Sequence, residues 1–168
     1  MENGIIKVYC GEGKGKTQAA IGRALICASE GKDVYIVQFL KGRTSQSLEF
    51  MKRLEPEIQI FRFEKELDRY VDLSPEEREE EAMNICNGLN FAKKVVTVGG
   101  CDVLVLDEIL GLVDLNIVTV EDIIRVIENN DDNNLEIILT GRNMPEGLVP
   151  YVDYISSLNV LKDNHSED

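Results

Sequence analysis

The sequence contains no tryptophan, one histidine (His165) and only four cysteines. The cysteines, at Cys10, Cys27, Cys86 and Cys101, form no C-x-x-C pair, which argues against a structural zinc site and favours reduced thiols. Basic residues are also scarce, since 18 Lys and Arg stand against 31 Asp and Glu, a formal net charge of −13. A chain with this charge lacks the basic face of a nucleic-acid binder and is not attracted to anionic membranes.

Long hydrophobic runs are missing as well. No segment approaches the roughly 20 apolar residues that span a bilayer, and the amino terminus MENGIIKVYC has no basic region followed by an apolar one. We therefore expect a cytoplasmic protein with no membrane, no secretory signal and no nucleic-acid partner. The 168 residues, 43% of them hydrophobic, suffice for a sizeable core, and we expect a single domain over 1–162 followed by a disordered acidic tail at 163–168.

Apolar β-rich segments alternate with segments of helical periodicity, which is typical of a parallel sheet covered by helices. The predicted strands are 5–10, 33–40, 58–63, 101–107, 135–140 and 154–158. The predicted helices are 16–29, 75–98 with Ser74 as its cap, and 119–128 with Thr119 as its cap, and 42–54 is partly helical. The fold class is therefore α/β, with three layers and a mostly parallel sheet.

A glycine-rich turn follows the first predicted strand, reading Gly11-Glu12-Gly13-Lys14-Gly15-Lys16-Thr17, with Gln18 next. Between a strand and a helix such a turn cradles phosphate, because its free amides and the helix dipole face an anion. Lys16 would place a charge on the phosphates and Thr17 a hydroxyl on Mg²⁺. Cys10 replaces the first glycine of the usual G-x-x-x-x-G-K-[ST] pattern. The alternative is a plain glycine turn that caps a helix.

Two further groups are expected at the same edge of the sheet, where the carboxyl ends of parallel strands meet. Asp107-Glu108 ends the most apolar strand, as an acidic pair does when it reaches a P-loop Mg²⁺, although a helix cap or a solvated turn is also compatible. Lys41 and Arg142 follow two other strands. Each is either a pocket cation or a surface cation, and Arg142 in the pocket would stabilise charge on a leaving phosphate chain.

Four stretches in order resemble the P-loop ATP:corrinoid adenosyltransferases, which act on cob(I)alamin or cob(I)yrinic acid a,c-diamide. They are GEGKGKTQAAIGRAL (11–25), VQFLKG (37–42), DVLVLDEILGLV (102–113) and ILTGRNMPEGLVPYVD (138–153). The loop of that family also lacks the first glycine. The resemblance implies a RecA-like P-loop NTPase fold and transfer of the 5′-deoxyadenosyl group of ATP to Co(I), with release of triphosphate.

The resemblance also implies roles for particular residues. Residues 11–18 would bind ATP, and Lys16, Lys41 and Arg142 would act as catalytic cations. Mg²⁺ would be held by Thr17 and Glu108, with Asp107 close by. The family further implies a homodimer that accepts a reduced corrinoid, with electrons supplied by a flavoprotein reductase.

The sequence departs from this family in the corrinoid half. A Phe-x-Trp segment usually follows the third strand, whereas this chain reads FRFEKELDRYVDL. Phe61, Phe63 or Tyr70 would have to substitute, although core packing is the other role for the two phenylalanines. Ile26 stands where an arginine is common, with Arg23 nearly one turn earlier. A small P-loop ATPase or kinase and a degenerate homologue that binds ATP or a corrinoid without turnover therefore remain as alternatives.

Overall fold

The computed structural model describes residues 4–40, 46–65, 68–130 and 134–165. Its strands are β1 (Ile6–Cys10), β2 (Val34–Gln38), β3 (Ile58–Arg62), β4 (Val103–Asp107), β5 (Glu136–Thr140) and β6 (Tyr154–Ser157). They form one sheet in the order β3-β2-β4-β5-β1-β6, and all neighbouring strands are parallel. The predicted strands are therefore confirmed to within two residues at each end.

The helices that the structure describes flank this sheet. They are α1 (Lys16–Ser29), α2 (Gln46–Met51), α3 (Pro75–Val98), α4 (Ile109–Asp114) and α5 (Val120–Ile127). Helix α4 was not predicted, because its six residues continue the apolar run of β4 and are too few to show a helical period. None of the helices in the described ranges is long and apolar enough to cross a membrane.

Two helices begin at the capping residues that the sequence predicts. The Ser74 hydroxyl accepts a hydrogen bond from the Glu77 N–H, and the Glu77 carboxylate accepts one from the Ser74 N–H. Thr119 and Asp122 form the same reciprocal pair at the start of α5. Each pair satisfies two backbone donors that the first turn of a helix otherwise leaves free. These bonds hold the pKa values of the Glu77 and Asp122 carboxyls below their usual range.

Alternate residues of each strand pack on opposite faces of the sheet, which gives three layers. Helix α1 buries Ala20, Ala24 and Cys27 against one face, together with Ile36 and Val105. The other face packs against α3, α4 and α5. All five residues of β4 are buried, as expected for a central parallel strand covered on both sides. The predicted three-layer α/β class follows directly from this arrangement.

Helix α1 is fixed to the amino edge of the sheet by an ion-pair cluster. Glu136, the first residue of β5, accepts hydrogen bonds from two nitrogens of Arg23, at 2.8 and 2.7 Å, and from Lys7 at 2.9 Å. The Arg23 hydrogen bonds hold the pKa of Glu136 down at about 2. Arg23 is therefore engaged at the edge opposite the glycine-rich loop and does not replace an arginine expected at Ile26.

Candidate functional site

The glycine-rich loop connects the carboxyl end of β1 to the first turn of α1. Gly11 and Gly15 have φ values of 117° and 113°, a region that favours glycine. The Gly11 N–H donates to the Arg142 carbonyl at 2.9 Å. A Cβ atom on Gly11 would collide with the Leu158 carbonyl oxygen, and one on Gly13 would lie 3.0 Å from the Val160 nitrogen. These glycines therefore allow the segment after β6 to lie directly against the loop.

The loop forms one wall of an open cavity of about 390 Å³. The cavity is lined by Glu12, Gly13, Lys14, Gly15, Lys16, Thr17, Gln18, Glu108 and Arg142. The structure thus brings together groups that are separated by more than 120 positions in the sequence. The Lys16 ammonium donates to the Gly13 carbonyl at 2.7 Å, so it lies over the loop. Gly11 lies buried beneath this wall, and Lys41 falls outside the described residues.

Asp107 lies below the floor of the cavity, with only 1% of its surface exposed. Its Oδ1 accepts hydrogen bonds from the Thr17 hydroxyl at 2.9 Å and from the Thr140 hydroxyl at 2.8 Å. Its Oδ2 accepts one from the Gln38 amide at 3.3 Å. Both carboxylate oxygens are therefore bonded within the protein, and Asp107 orients Thr17 from behind.

Glu108 turns its side chain from the strand into the cavity. Its backbone is left-handed, with a φ of 63°, and its N–H donates to the Thr140 hydroxyl at 2.8 Å. It occupies the cap position of α4, but its side chain makes no capping hydrogen bond. The alternative that the Glu108 side chain caps a helix is therefore wrong, because this side chain lines the cavity.

The sequence interpretation assigned no role to Gln38 or Thr140, although a signal was present. Each is a buried polar residue that follows a run of apolar residues at the end of its strand. Because buried polar groups need partners, such residues at the carboxyl edge of a parallel sheet indicate a hydrogen-bonded site. Their positions beside Asp107 on the sheet explain why they are buried.

The oxygen-rich floor of the cavity fits a hard cation such as Mg²⁺. The Thr17 hydroxyl donates its hydrogen bond to Asp107, which leaves the lone pairs of its oxygen free to face a cation, and the Glu108 carboxylate lines the same space. The Gln38 Oε1 atom is buried without a hydrogen-bond donor in the described ranges. Those ranges also contain no group of three or more His, Cys, Asp or Glu residues able to hold a metal. Phosphate and water oxygens would therefore complete the coordination that Mg²⁺ prefers.

The aromatic residues after β3 contribute to packing. The rings of Phe61 and Phe63 lie 4.6 and 5.5 Å, between centroids, from the ring of Phe91 on α3. Both phenylalanines are half-buried and pack against the core that covers this face of the sheet. The packing alternative for Phe61 and Phe63 is thus supported by their contacts.

A half-buried carboxyl follows these rings. Glu64 accepts a hydrogen bond from the Leu40 N–H at 2.8 Å, which links the end of β3 to the end of β2. Burial, with a smaller contribution from Glu81, raises the pKa of Glu64 to about 7. The Glu81 carboxylate itself accepts from the Lys65 N–H. Two carboxyl groups, Glu64 and Glu81, therefore lie near each other beyond the end of β3.

Known proteins similar to this chain include the corrinoid adenosyltransferases of Escherichia coli strain K12 and Salmonella typhimurium strain LT2. Each is 29% identical to it over 161 residues, which cover 96% of this chain and 79% of the relative. A KaiC-like protein from Pyrococcus horikoshii OT3 is similar in structure, with a TM-score of 0.54 and 18% identity over 95% of this chain and 74% of its own. This likeness confirms the predicted RecA-like P-loop fold.

The model of the family described as ATP:corrinoid adenosyltransferase BtuR/CobO/CobP matches residues 2–168. The match includes the loop, the Asp107-Glu108 pair and the aromatic segment that lacks tryptophan. Because it spans nearly the whole sequence, the chain belongs to the ATP:corrinoid adenosyltransferase family.

Proposed function

We propose that residues 11–18 hold the triphosphate of ATP while this adenosyltransferase transfers the 5′-deoxyadenosyl group to the Co(I) centre of a reduced corrinoid. The observation that carries this proposal is the cavity that joins the loop, Glu108 and Arg142 at the carboxyl edge of the sheet. Three cations, Lys14, Lys16 and Arg142, line that cavity. Such a site suits a highly charged anion.

The proposed chemistry is a displacement at carbon. The Co(I) electron pair forms a cobalt–carbon bond with C5′ of ATP, and the C5′–O5′ bond breaks. The triphosphate leaves with the electron pair of the broken C5′–O5′ bond. Because the Co(I) nucleophile has no proton to lose, the protein needs no general base. Its task is to position C5′ and to stabilise charge on the leaving triphosphate.

We propose that the positively charged side chains of the site stabilise the leaving triphosphate. Lys16 lies over the loop, 2.7 Å from the Gly13 carbonyl, and would exchange this contact for a phosphate oxygen. Arg142 is exposed and lines the same cavity, where its guanidinium can form a bidentate pair with a phosphate group. Lys41 is proposed as a third catalytic cation on the basis of the VQFLKG stretch alone.

Mg²⁺ is proposed as the cofactor. Thr17 and Glu108 would hold the ion, and Asp107 would orient Thr17 through their 2.9 Å hydrogen bond. When bound, the ion neutralises charge on the triphosphate oxygens. The chain's own part is to present the Thr17 and Glu108 oxygens to the cavity, and the hydrogen bonds to Asp107 hold this arrangement from below.

We further propose that the protein is a cytoplasmic homodimer, with residues 1–162 as one domain, and that a flavoprotein reductase supplies the Co(I) corrinoid. The family resemblance supports the dimer and the reductase. The low content of basic residues and the scattered cysteines support the location.

The test is an anaerobic assay with Mg²⁺, ATP and chemically reduced cob(I)alamin. The expected products are adenosylcobalamin and triphosphate, and Lys16→Ala should lower the rate by about 100-fold or more. Lys32→Ala is the matched control, since Lys32 is only partly buried, does not line the cavity, and pairs with Glu30 at a distance of 3.5 Å. ADP formation would favour the ATPase or kinase alternative. ATP binding without any product would favour the non-catalytic one.

A further inference from the structure

Gln38 is a buried polar side chain that the proposed chemistry leaves without a role. It is the last residue of β2 and only 3% of its surface is exposed. Its Nε2 donates to Asp107 Oδ2 at 3.3 Å. Its Oε1 is fully buried and has no hydrogen-bond donor in the parts of the chain that the structure describes. An amide oxygen buried in this way costs folding free energy unless a ligand or water completes its bonding.

The orientation of this amide is set by its neighbour. Asp107 offers an acceptor oxygen, so the amide must present its NH₂ group to that carboxylate. Rotating the amide by 180° would place two acceptor oxygens against each other. The Oε1 atom is therefore directed away from Asp107 and needs a donor from elsewhere.

The sheet register places Gln38 beside Asp107, below the floor of the cavity. Gln38 and Asp107 are register partners on the neighbouring strands β2 and β4. Both lie on the face of the sheet that α1 covers, and Thr17 of α1 bonds the same carboxylate. Gln38 is thus linked to the Thr17 hydroxyl through the Asp107 carboxylate, to which both donate hydrogen bonds.

We propose that Gln38 is a positioning residue for Mg²⁺. Its Nε2 fixes Asp107 Oδ2, while Thr17 and Thr140 hold Oδ1. Its Oε1 accepts a hydrogen bond from a water molecule in the hydration shell of the ion, which Mg²⁺ gives up reluctantly. Groups behind the direct ligands of a metal typically contribute 10- to 100-fold to its affinity. The inference rests on the proposed function only in requiring that ATP bind together with Mg²⁺.

The test compares ATP binding by titration calorimetry in Mg²⁺ and in EDTA. Gln38→Met keeps the side-chain volume close but removes both the donor and the acceptor. Gln59→Met is the matched control, because Gln59 is a half-buried glutamine near the amino end of β3. We expect Gln38→Met to bind ATP in EDTA with the wild-type affinity. The increase in ATP affinity on adding Mg²⁺ should be about tenfold smaller in this variant than in the wild type. The Gln59→Met protein should keep that gain in full.

Three results would overturn the inference. The first is an unchanged Mg²⁺ gain in Gln38→Met, and the second is an equal loss of affinity in EDTA with a lowered unfolding temperature, which would make Gln38 a packing residue. The third is a wild-type protein with no Mg²⁺ gain, which is distinguishable from failure of the proposed function because adenosyl transfer is assayed separately. If Gln38→Met does not fold, Gln38→Asn retains the amide without its reach and should lose the same Mg²⁺ gain.

Discussion

The hydroxyl of Thr140 is expected to hold the floor of the site together. It is fully buried at the end of β5, donates to Asp107 at 2.8 Å and accepts from the Glu108 N–H at 2.8 Å. The substitution Thr140→Val keeps the shape of the side chain and removes both hydrogen bonds. Asp107 would retain the bonds from Thr17 and Gln38, but the Glu108 N–H would lose its acceptor.

The size of the effect follows from these two bonds. A hydrogen bond to a charged group contributes about 1.5–3 kcal/mol, and a buried donor left without a partner costs about 1–3 kcal/mol. Because Glu108 is only half-buried, water can reach its N–H in part. We therefore expect Thr140→Val to lower the free energy of unfolding by about 3 kcal/mol, with a weaker affinity for Mg²⁺ and ATP.

Urea unfolding followed by circular dichroism measures this change. Thr140→Ser is the matched control, since it keeps both hydrogen bonds and loses only a methyl group, at a cost of about 1 kcal/mol. Thr97→Val on the exposed face of α3 should change stability by less than about 0.5 kcal/mol. A Val variant within about 0.5 kcal/mol of wild type, or a Ser variant as unstable as Val, would refute the reasoning.

The remaining predictions concern the loop and two carboxyls. Gly11→Ala should give a markedly destabilised protein in thermal melts, because its Cβ meets the Leu158 carbonyl at a φ of 117°, whereas Gly22→Ala, which meets nothing, should not. Arg23→Gln should be less stable than wild type at pH 7. Since the folded pKa of Glu136 is about 2, that difference should be lost as the pH falls from about 4.5 through 2 in unfolding titrations. Glu64→Gln should be more stable than wild type at pH 8, because the pKa of Glu64 is raised to about 7 and burial of its charged form is unfavourable, and the gain should vanish between pH 7 and about pH 4.5. A pH-independent difference in either carboxyl variant would contradict the assigned cause.

Local rules were sufficient to predict most of the elements. Ser74-Pro75 and Thr119 begin helices where capping residues do, and the glycine-rich turn joins β1 to α1 as expected for a P-loop. Each of these signals is carried by neighbouring residues, so no tertiary information is needed to recognise it.

The parts that escaped prediction depend on contacts distant in sequence. Leu158 and Val160 lie against the loop because β6 runs beside β1, a register that the short strand does not reveal. The partners of Gln38 and Thr140 depend on strand order, since Asp107 lies on β4 between β2 and β5. Sequence patterns identified the ends of the strands but not which ends are neighbours.

In the proposed reaction, bond cleavage occurs at C5′ of ATP and the triphosphate leaves whole. The most direct test uses ATP labelled with ¹⁸O at the bridging 5′ oxygen, in a single anaerobic turnover with cob(I)alamin. Mass spectrometry of the products should find the label in triphosphate, in an amount equal to the adenosylcobalamin formed. Label retained in ADP or another nucleotide would show cleavage at phosphorus and contradict the proposed adenosyl transfer.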